Sequence, residues 1–228
     1  MAKEKVLKPE EEALGSAMSK TELFLEQNAS KVMYVLGALL LIAAVVFGYK
    51  KLISEPRMEK ASEMMIQAQH LFEAATPDYE VALNGDENGA GFLDVIEQYG
   101  STPAGNLAKH YAGMCYLRMG DLESAADYLA QYSTVKGLAG AVINAQNYGL
   151  QGDVAVDMGN YSAAVKFYDK AVSAADNNYT APMYLRKAAL ALKAEGKSAE
   201  AKAYLERIIK EYPASSDARE AEKLIGAL

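Results

Sequence analysis

Residues 84–92, NGDENGAGF, are the part of the sequence whose types and spacing come closest to a chemical site. Asn84, Asp86 and Asn88 present carboxylate or amide oxygens at alternate positions and a glycine follows, as at the first, third, fifth and sixth positions of a helix–loop–helix calcium site. Such a site also needs a bidentate acid at its twelfth position, where this chain has Val95. The stretch therefore reads as a solvated turn, or at most a weak and water-rich cation site, and we assign it no metal.

The sequence offers no recognisable catalytic set. His70 and His110 both fall inside predicted helices, and no Ser, Cys or carboxylate beside them completes a nucleophile motif. Cys115 is the single cysteine, which excludes an intrachain disulfide and a cysteine-based zinc cluster. The sequence contains no phosphate-binding loop and no dinucleotide fingerprint. We therefore expect no enzyme activity, no catalytic residue and no cofactor.

The charge distribution argues against nucleic acid as a partner. The chain has a formal net charge of −7, and its lysines and arginines form no basic patch or stripe. Surfaces that bind nucleic acid neutralise several phosphates with clusters of such residues. We therefore predict that the chain binds no nucleic acid.

One block, VMYVLGALLLIAAVVFGY at residues 32–49, contains no charged residue. As a helix rising about 1.5 Å per residue it would be ~27 Å long, close to the ~30 Å hydrocarbon thickness of a bilayer. Lysines flank the block, and Tyr34 and Tyr49 lie where interfacial aromatics are common. A buried core helix would carry a polar stripe, and a cleaved signal peptide would have a shorter apolar run. We therefore predict an uncleaved transmembrane helix.

The residues on either side of this helix bear on its orientation. Residues 1–31 are predicted to form a tail that is disordered up to Gly15, with a helix starting at the capping box of Ser19 and Glu22. The tail carries five Lys and six Glu, whereas four basic residues follow the span within 20 positions. Local charge thus leans against export of the C-terminal domain, but long domains translocate largely regardless of such charges.

From position 106 onward, three segments share one plan of a helix, a glycine-containing turn and a second helix. The turns lie at Gly120, Gly159 and Gly196, and Ala125, Ala164 and Ala201 occupy one position of the second helices, 39 and 37 residues apart. Small residues at Gly113, Gly152 and Ala189 would let the two helices of a hairpin approach, with Tyr116 and Tyr168 filling the space beside them. This pattern resembles the tetratricopeptide repeat, which implies stacked helical hairpins.

The residues around these segments complete the predicted domain. An amphipathic helix is predicted from Met58 to Ala75, and a second helix at residues 92–99 aligns with the end of the third repeat. Together they form a divergent first repeat, with the opening stretch in its enlarged turn. We predict a partner-contact loop there, formed by Asn84, Asp86, Glu87 and Asn88. The C-terminal residues predict a capping helix with Ser216 as its N-cap.

The predicted fold class is all-α: one N-terminal transmembrane helix, then a solenoid of three clear tetratricopeptide repeats and one divergent repeat, with a C-terminal capping helix. The predicted domain boundaries are a cytoplasmic tail at 1–31, the transmembrane helix at 32–49, a linker helix and divergent repeat at 50–105, and the clear repeats with the capping helix at 106–228.

The resemblance also implies a binding surface. In tetratricopeptide repeats the first helices line a concave groove that receives partner proteins. The groove positions carried over to this chain are Leu107, His110, Met114, Leu117 and Arg118 in the first clear repeat, Gln146, Asp153, Val156 and Asp157 in the second, and Met183, Arg186, Leu190 and Lys193 in the third. The apolar members suit a partner helix or an extended segment.

The layout as a whole resembles the membrane-anchored tetratricopeptide proteins of bacteria that are related to the ancillary subunit of the Sec translocon, the YfgM-like group. The stretches SKTELFLEQNASK and ALNGDENGAGFLDVIEQYGSTPAGNLAKHYAG carry this resemblance, and the second is similar to proteins of this group from Bacteroidetes. It implies a single pass through the bacterial inner membrane, a cytoplasmic N-terminus and a periplasmic repeat domain.

The resemblance further implies a protein-binding adaptor or scaffold. Its expected partners are Sec translocon components, exported chains or periplasmic chaperones, and the membrane through one helix. The alternative is an envelope-assembly or cell-division scaffold that binds outer-membrane or divisome proteins through the same groove. Ala44 and Gly48 form a small-xxx-small pair in the span, which leaves self-association open.

Overall fold

The computed structural model describes residues 9–87 and 89–228, with side chains from Glu22 onward. The chain divides into two compact units, Met1–Pro56 and Arg57–Leu228. Apart from one small two-stranded hairpin, the described secondary structure is helical. The predicted all-α class is therefore confirmed.

The first unit contains one long helix, α1 (Pro9–Tyr49), followed by a π-helical segment, Lys50–Ser54. The backbone of α1 leaves helical dihedral angles at Asn28, where φ is −120° and ψ is 17°. The Asn28 side-chain amide donates to the carbonyl oxygen of Phe24 at 3.1 Å. Such bonding to the preceding turn competes with the helical ladder and bends a helix, so α1 is kinked at this residue.

The predicted helix start at Ser19 is wrong. α1 passes through Ser19 and begins at Pro9, so residues 9–15, predicted to be disordered, are helical as well. A capping box marks a place where a helix can begin, but the residues before it also suit a helix. Proline is favoured in a first turn, and the Glu, Ala and Leu that follow Pro9 have high helix propensity. The rest of the tail, residues 1–8, lies outside the described part.

The apolar part of α1 is exposed along its length. None of its most apolar window is buried, and Leu40, Leu41 and Phe47 are 71%, 70% and 70% exposed. Leaving apolar surface in water costs about 25 cal/mol for each Å², so an apolar environment would stabilise this surface. Among the described residues, this is the one helix long and apolar enough to cross a membrane.

The second unit consists of short helices and the small hairpin. Its elements are α2 (Glu55–Phe72), α3 (Tyr79–Asn84), β1 (Gly85–Asp86), β2 (Gly89–Ala90), α4 (Phe92–Tyr99), α5 (Pro103–Met119), α6 (Leu122–Ala130), α7 (Leu138–Asp157), α8 (Tyr161–Ala174), α9 (Thr180–Ala194), α10 (Ser198–Glu211) and α11 (Ser216–Ile225). β1 and β2 are antiparallel, with Gly85 opposite Ala90. The predicted helix at residues 92–99 is confirmed as α4.

Three helical hairpins, α5–α6, α7–α8 and α9–α10, form the repeats. In the first two, a glycine of the first helix lies directly against a large side chain of the second. A Cβ atom at Gly113 would be 2.6 Å from Cγ of Leu129, and one at Gly152 would be 2.5 Å from Cε1 of Tyr168. These distances are well inside van der Waals contact, so the close approach depends on glycine. The predicted role of Gly113 and Gly152 is confirmed.

Each hairpin turns at a glycine with positive φ: +83° at Gly120, +75° at Gly159 and +81° at Gly196. The left-handed region favours glycine and ends the first helix of each hairpin. In the first two hairpins the next residue caps the second helix. The carboxylate of Asp121 and the amide oxygen of Asn160 each accept a hydrogen bond from the backbone N–H three residues later, at 3.1 and 3.2 Å.

In the N-terminal part of this unit, the start of α2 contacts the end of α4. Nη2 of Arg57 donates to the carbonyl oxygen of Gln98 at 2.9 Å, and the guanidinium lies 5.7 Å from the ring centroid of Tyr99. The connection between α2 and α4 is more ordered than the predicted turn. It contains α3, which the Asp78 carboxylate caps and which buries Leu83, and then the β1–β2 hairpin.

The capping helix α11 begins one residue earlier than predicted. Oγ of Ser215 accepts a hydrogen bond from the backbone N–H of Ala218 at 3.2 Å, so Ser215 is the N-cap and Ser216 is the first helical residue. Ala218 and Ala221 are buried against the preceding hairpin. The helix thus covers the end of the solenoid, as the sequence predicts.

The buried core of the second unit falls into three clusters. The largest extends from α7 to α11, and another joins α2 to α5 around Phe92. Between them lies a small cluster whose buried members are Ala125, Leu129 and Val154. We call this small cluster the seam, because it joins the first clear hairpin to α7.

Candidate functional site

A groove of about 470 Å³ lies between α5 and α7, the first helices of two successive hairpins. It is lined by Met114, Leu117 and Arg118 of α5, Leu150, Asp153, Val156 and Asp157 of α7, and Tyr168 of α8. The sequence predicted all of these as groove residues except Leu150 and Tyr168. Helical spacing could have predicted Leu150 as a groove residue, because it lies one turn before Asp153 on the same face of α7. Tyr168 is predicted to pack inside its hairpin; it packs against Gly152 there and also lines the groove.

Helix geometry explains why these side chains share one surface. Residues three and four apart lie on the same face of a helix. Met114 and Leu117 have this spacing on α5, and Leu150, Asp153 and Val156 repeat it on α7. The apolar residues Met114, Leu117, Leu150 and Val156 are each half-buried. We call these four residues the floor of the groove.

Asp153 is the centre of a polar network beside the floor. Its Oδ1 accepts a hydrogen bond from the hydroxyl of Tyr168 at 2.7 Å, and its two carboxylate oxygens accept from Nζ of Lys187 at 2.8 and 2.7 Å. The Lys187 ammonium also lies 5.9 Å from the Tyr168 ring centroid. Burial, then the bond to Asp153, raises the pKa of Tyr168 well above its ordinary value. Asp153 therefore links α7, α8 and α9 and is already paired.

Two charged residues of the groove are not paired in this way. Arg118 and Asp157 are exposed, and neither takes part in an ion pair among those of the described residues. They occupy equivalent positions of α5 and α7, 39 residues apart, as Gly113 and Gly152 do. The groove thus has one free cation on its α5 wall and one free anion on its α7 wall. We call these two residues the rim charges.

Comparison with known sequences agrees with the hairpin geometry. Two sequence models of the tetratricopeptide repeat match, one at residues 108–134 and 184–215 and the other at residues 145–178. The chain contains tetratricopeptide repeats. The matched residues coincide with the three hairpins, so the groove is lined by the first helices of two tetratricopeptide repeats. Repeats of this kind indicate a protein-binding adaptor or scaffold.

Solved structures share this fold. A crystal structure of MamA protein is 15% identical, covers 84% of this chain and 91% of that chain, and has a TM-score of 0.51. A second crystal structure, of MamA, is 16% identical, covers 79% of this chain and 88% of that chain, and has a TM-score of 0.50. At such low identity the likeness concerns the fold alone. No curated protein matches the sequence.

The prediction that His110 lines the tetratricopeptide groove is wrong. Its side chain is 1% exposed and lies between α5 and α7, with Nδ1 3.2 Å from Nδ2 of Asn147. Asn147 is oriented by Gln151, which donates to its amide oxygen at 2.7 Å. The Asn147 nitrogen therefore donates, and Nδ1 of His110 accepts. Burial lowers the pKa of His110 to about 4, and a hydrogen bond with Gln146 opposes this shift.

The buried imidazole of His110 predicts a pH-dependent stability. Histidine in an unfolded chain titrates near pH 6.5, whereas His110 in the folded chain titrates at about 4. Only the unfolded chain gains a proton between these values, so stability is complete above about pH 6.5 and is lost as the pH falls toward 4. We expect this residue to lower the free energy of unfolding by about 2 kcal/mol between pH 8 and pH 5, and His110→Gln to remove that loss.

Urea unfolding of the full chain in detergent micelles, followed by circular dichroism at the two pH values, measures this effect. His70→Gln is the matched control, because His70 is exposed on α2. This variant should keep the wild-type pH dependence. A His110→Gln variant that also kept it would contradict the burial of a neutral imidazole.

The third repeat contributes no residue to the groove. Nε of Arg186 pairs with Oδ1 of Asp217 at 2.6 Å, and Nζ of Lys193 donates to the carbonyl oxygen of Ala227 at 2.9 Å. Both predicted groove residues thus hold the C-terminal segment against α9. Met183 is half-buried and packs on the core. Leu190 is 41% exposed and lies outside the lining.

The other two predicted groove residues also lie outside the lining. Leu107 is half-buried and packs on the cluster that joins α2 to α5. Gln146 is exposed and contacts His110. The structure therefore concentrates the predicted groove into the C-terminal halves of α5 and α7.

The predicted partner-contact loop is a tight hairpin. Asn84, Asp86 and Glu87 are exposed, whereas Asn88 lies outside the described residues. The Asn84 amide donates to the carbonyl oxygen of Glu80 at 3.0 Å, and Oδ1 of Asp86 accepts from the backbone N–H of Gly89 at 3.0 Å. Asn84 therefore bonds within the last turn of α3, and Asp86 bonds across the hairpin, while Glu87 is exposed.

The described residues contain no cluster of side chains arranged as metal ligands. Among the described residues, no group of three or more His, Cys, Asp or Glu is placed to hold a metal ion. Burial raises the pKa of Cys115 to about 12, so its thiol stays protonated at neutral pH. Its side chain belongs to the core beside α4.

Proposed function

We propose that this chain is a membrane-anchored adaptor that holds a segment of a partner protein in the groove between α5 and α7. The observation that carries the proposal is the lining of the groove, an apolar floor beside two free rim charges on neighbouring tetratricopeptide repeats. A half-buried apolar floor gains free energy when a partner covers it. Met114 adds a flexible side chain that adapts to different partner shapes. A helix or an extended segment suits such a groove.

The anchor in this proposal is the apolar part of α1. Its exposed side chains and its length fit a single pass through a bilayer. The resemblance to the YfgM-like group supports the bacterial inner membrane, with the N-terminus in the cytoplasm and the repeats in the periplasm. An anchored repeat domain stays close to the membrane, where exported chains emerge.

Reporter fusions test this topology. Alkaline phosphatase fused after Leu228 should be active, because phosphatase folds only after export. Green fluorescent protein fused at the same site should be dark, because it does not become fluorescent when it is exported unfolded. Fusions after Glu26, before the span, should show the reverse and serve as the control. A fluorescent, phosphatase-negative fusion at Leu228 would place the repeats in the cytoplasm.

The partners we propose are Sec translocon components, exported chains or periplasmic chaperones. Proteins that co-purify with the full chain after gentle detergent extraction identify them. Met114→Glu should reduce their recovery at least ten-fold, because a buried charge at the floor costs several kcal/mol on binding and each ~1.4 kcal/mol is a factor of ten in affinity. Met158→Glu is the matched control, since Met158 directly follows α7, is 46% exposed and lies outside the groove lining.

This experiment also separates the two classes of partner. Recovery of Sec components or exported chains supports the translocon adaptor. Recovery of outer-membrane assembly or division proteins instead supports an envelope scaffold. If Met114→Glu and Met158→Glu retain the same proteins at wild-type levels, the groove is not the binding surface.

A further inference from the structure

The free charges of the groove are arranged with opposite signs on opposite walls. Arg118 follows the floor on α5, and Asp157 follows it on α7. The other carboxylate of the lining, Asp153, is already neutralised by Lys187 at 2.7 Å. A ligand in the groove therefore meets one unpaired cation, an apolar floor and one unpaired anion.

The two walls are joined by little buried apolar surface. The seam beneath them has only Ala125, Leu129 and Val154 as its buried members. A second cavity of about 310 Å³, lined by residues of α6, α7 and α8, lies on Val154 as well. Since the larger core clusters lie on either side of the seam, a ligand that touches both walls bridges two separately packed parts of the solenoid.

We propose that the groove selects a partner segment in which an apolar side chain lies between an acidic and a basic residue. The acid pairs with Arg118, the apolar side chain covers the floor, and the base pairs with Asp157. The floor supplies most of the affinity, and the rim charges select the sequence and direction of the segment, because exposed ion pairs are individually weak. This inference rests on the proposed function of the same groove and adds the chemistry of the partner.

A displayed library of random 12-residue peptides, selected on the full chain in lipid nanodiscs, tests this proposal. The wild-type chain should enrich peptides with an acid and a base on either side of an apolar residue. Arg118→Glu should replace the acidic preference by a basic one, and Asp157→Lys should replace the basic preference by an acidic one. We expect each enrichment to change about five-fold.

Arg219→Glu is the matched control, because Arg219 is exposed on α11, outside the groove, and the change of charge is the same. It should leave the wild-type enrichment unchanged. The proposal is overturned if the wild-type chain selects no peptide or selects apolar peptides without a charge preference. It is also overturned if the preference is the same in wild type, Arg118→Glu and Asp157→Lys.

Amide exchange tests the bridging of the two walls. An enriched peptide should slow exchange in α6, which lines the seam but not the groove, by several-fold. Unchanged exchange in α6 while the peptide is bound would contradict the bridging. Co-purification that depends on Met114, combined with a library that shows no charge preference, would leave the proposed adaptor function intact and refute only this inference.

Discussion

Replacing Phe92 by alanine should lower the free energy of unfolding of the repeat unit by about 3–5 kcal/mol. The Phe92 side chain is 0% exposed at the start of α4. Its ring stacks on Tyr111 at 5.1 Å between centroids and meets Phe72 edge-on at 6.1 Å. Truncation leaves a cavity where α2, α4 and α5 meet. Thermal unfolding of the full chain in detergent micelles, followed by circular dichroism, should show a midpoint lower by about 10 °C.

Ile66→Ala is the control for this change. Ile66 lies on α2, close in sequence to the same cluster, but it is 54% exposed. Its truncation should change stability by less than about 0.5 kcal/mol. Equal midpoints for Phe92→Ala and wild type would mean that α4 does not pack against α2 and α5.

Gly91→Ala should destabilise the chain by about 3 kcal/mol, at the upper end of the range for overpacking. A Cβ atom at Gly91 would lie 2.5 Å from the backbone carbon of Asn84, and closer still to the backbone nitrogen of Gly85 and the carbonyl oxygen of Leu83. All three contacts are backbone atoms at the junction of α3 with the hairpin. They cannot move without displacing the buried Leu83.

Gly89→Ala provides a matched control in the same hairpin. A Cβ atom there would meet Oε1 of Gln67 at 3.6 Å, which is ordinary contact with a flexible side chain. The control should unfold within about 2 °C of wild type. If Gly91→Ala and Gly89→Ala both have the same unfolding midpoint as wild type, the hairpin is not packed as described. The same thermal scan measures both.

The repeats could be predicted because their spacing follows from a local physical requirement. Gly113 and Gly152 recur at one position since the two helices of a hairpin approach closely there, and the structure places Leu129 and Tyr168 against them. The turns were predictable for a similar reason, because Gly120 and its equivalents adopt a conformation that other residues rarely adopt. The candidate span likewise follows from composition alone.

The hairpin region was harder to predict because its elements are short. α3 has six residues, and β1 and β2 have two residues each. Periodicity cannot be recognised over such lengths. Asp78 before α3 is a recognisable cap, but a cap alone does not fix a helix. The sequence therefore predicted an enlarged turn where the chain forms a helix and a tight hairpin.

Side chains between hairpins could not be assigned from one repeat at a time. His110 has the spacing of a groove residue on α5, but it is 1% exposed and bonds to Asn147 of α7. Arg186 has the spacing of a groove residue on α9, but it forms an ion pair with Asp217 of the capping helix α11. In both cases the deciding contact comes from an element distant in sequence. Met114, Leu117, Asp153 and Val156 line one groove because the same helical face repeats in α5 and α7.

The central claim, that a partner segment occupies the groove between α5 and α7, is tested most directly by site-specific photo-crosslinking in membranes. A photoreactive amino acid is placed at Met114 or Val156 in the groove, and at Lys202 or Glu206 on α10 as the control. The control side chains are 53% and 57% exposed, so they are at least as accessible. We predict adducts with a defined partner from Met114 and Val156 and none from Lys202 and Glu206. Equal adducts from α10, or none from the groove positions, would contradict the claim.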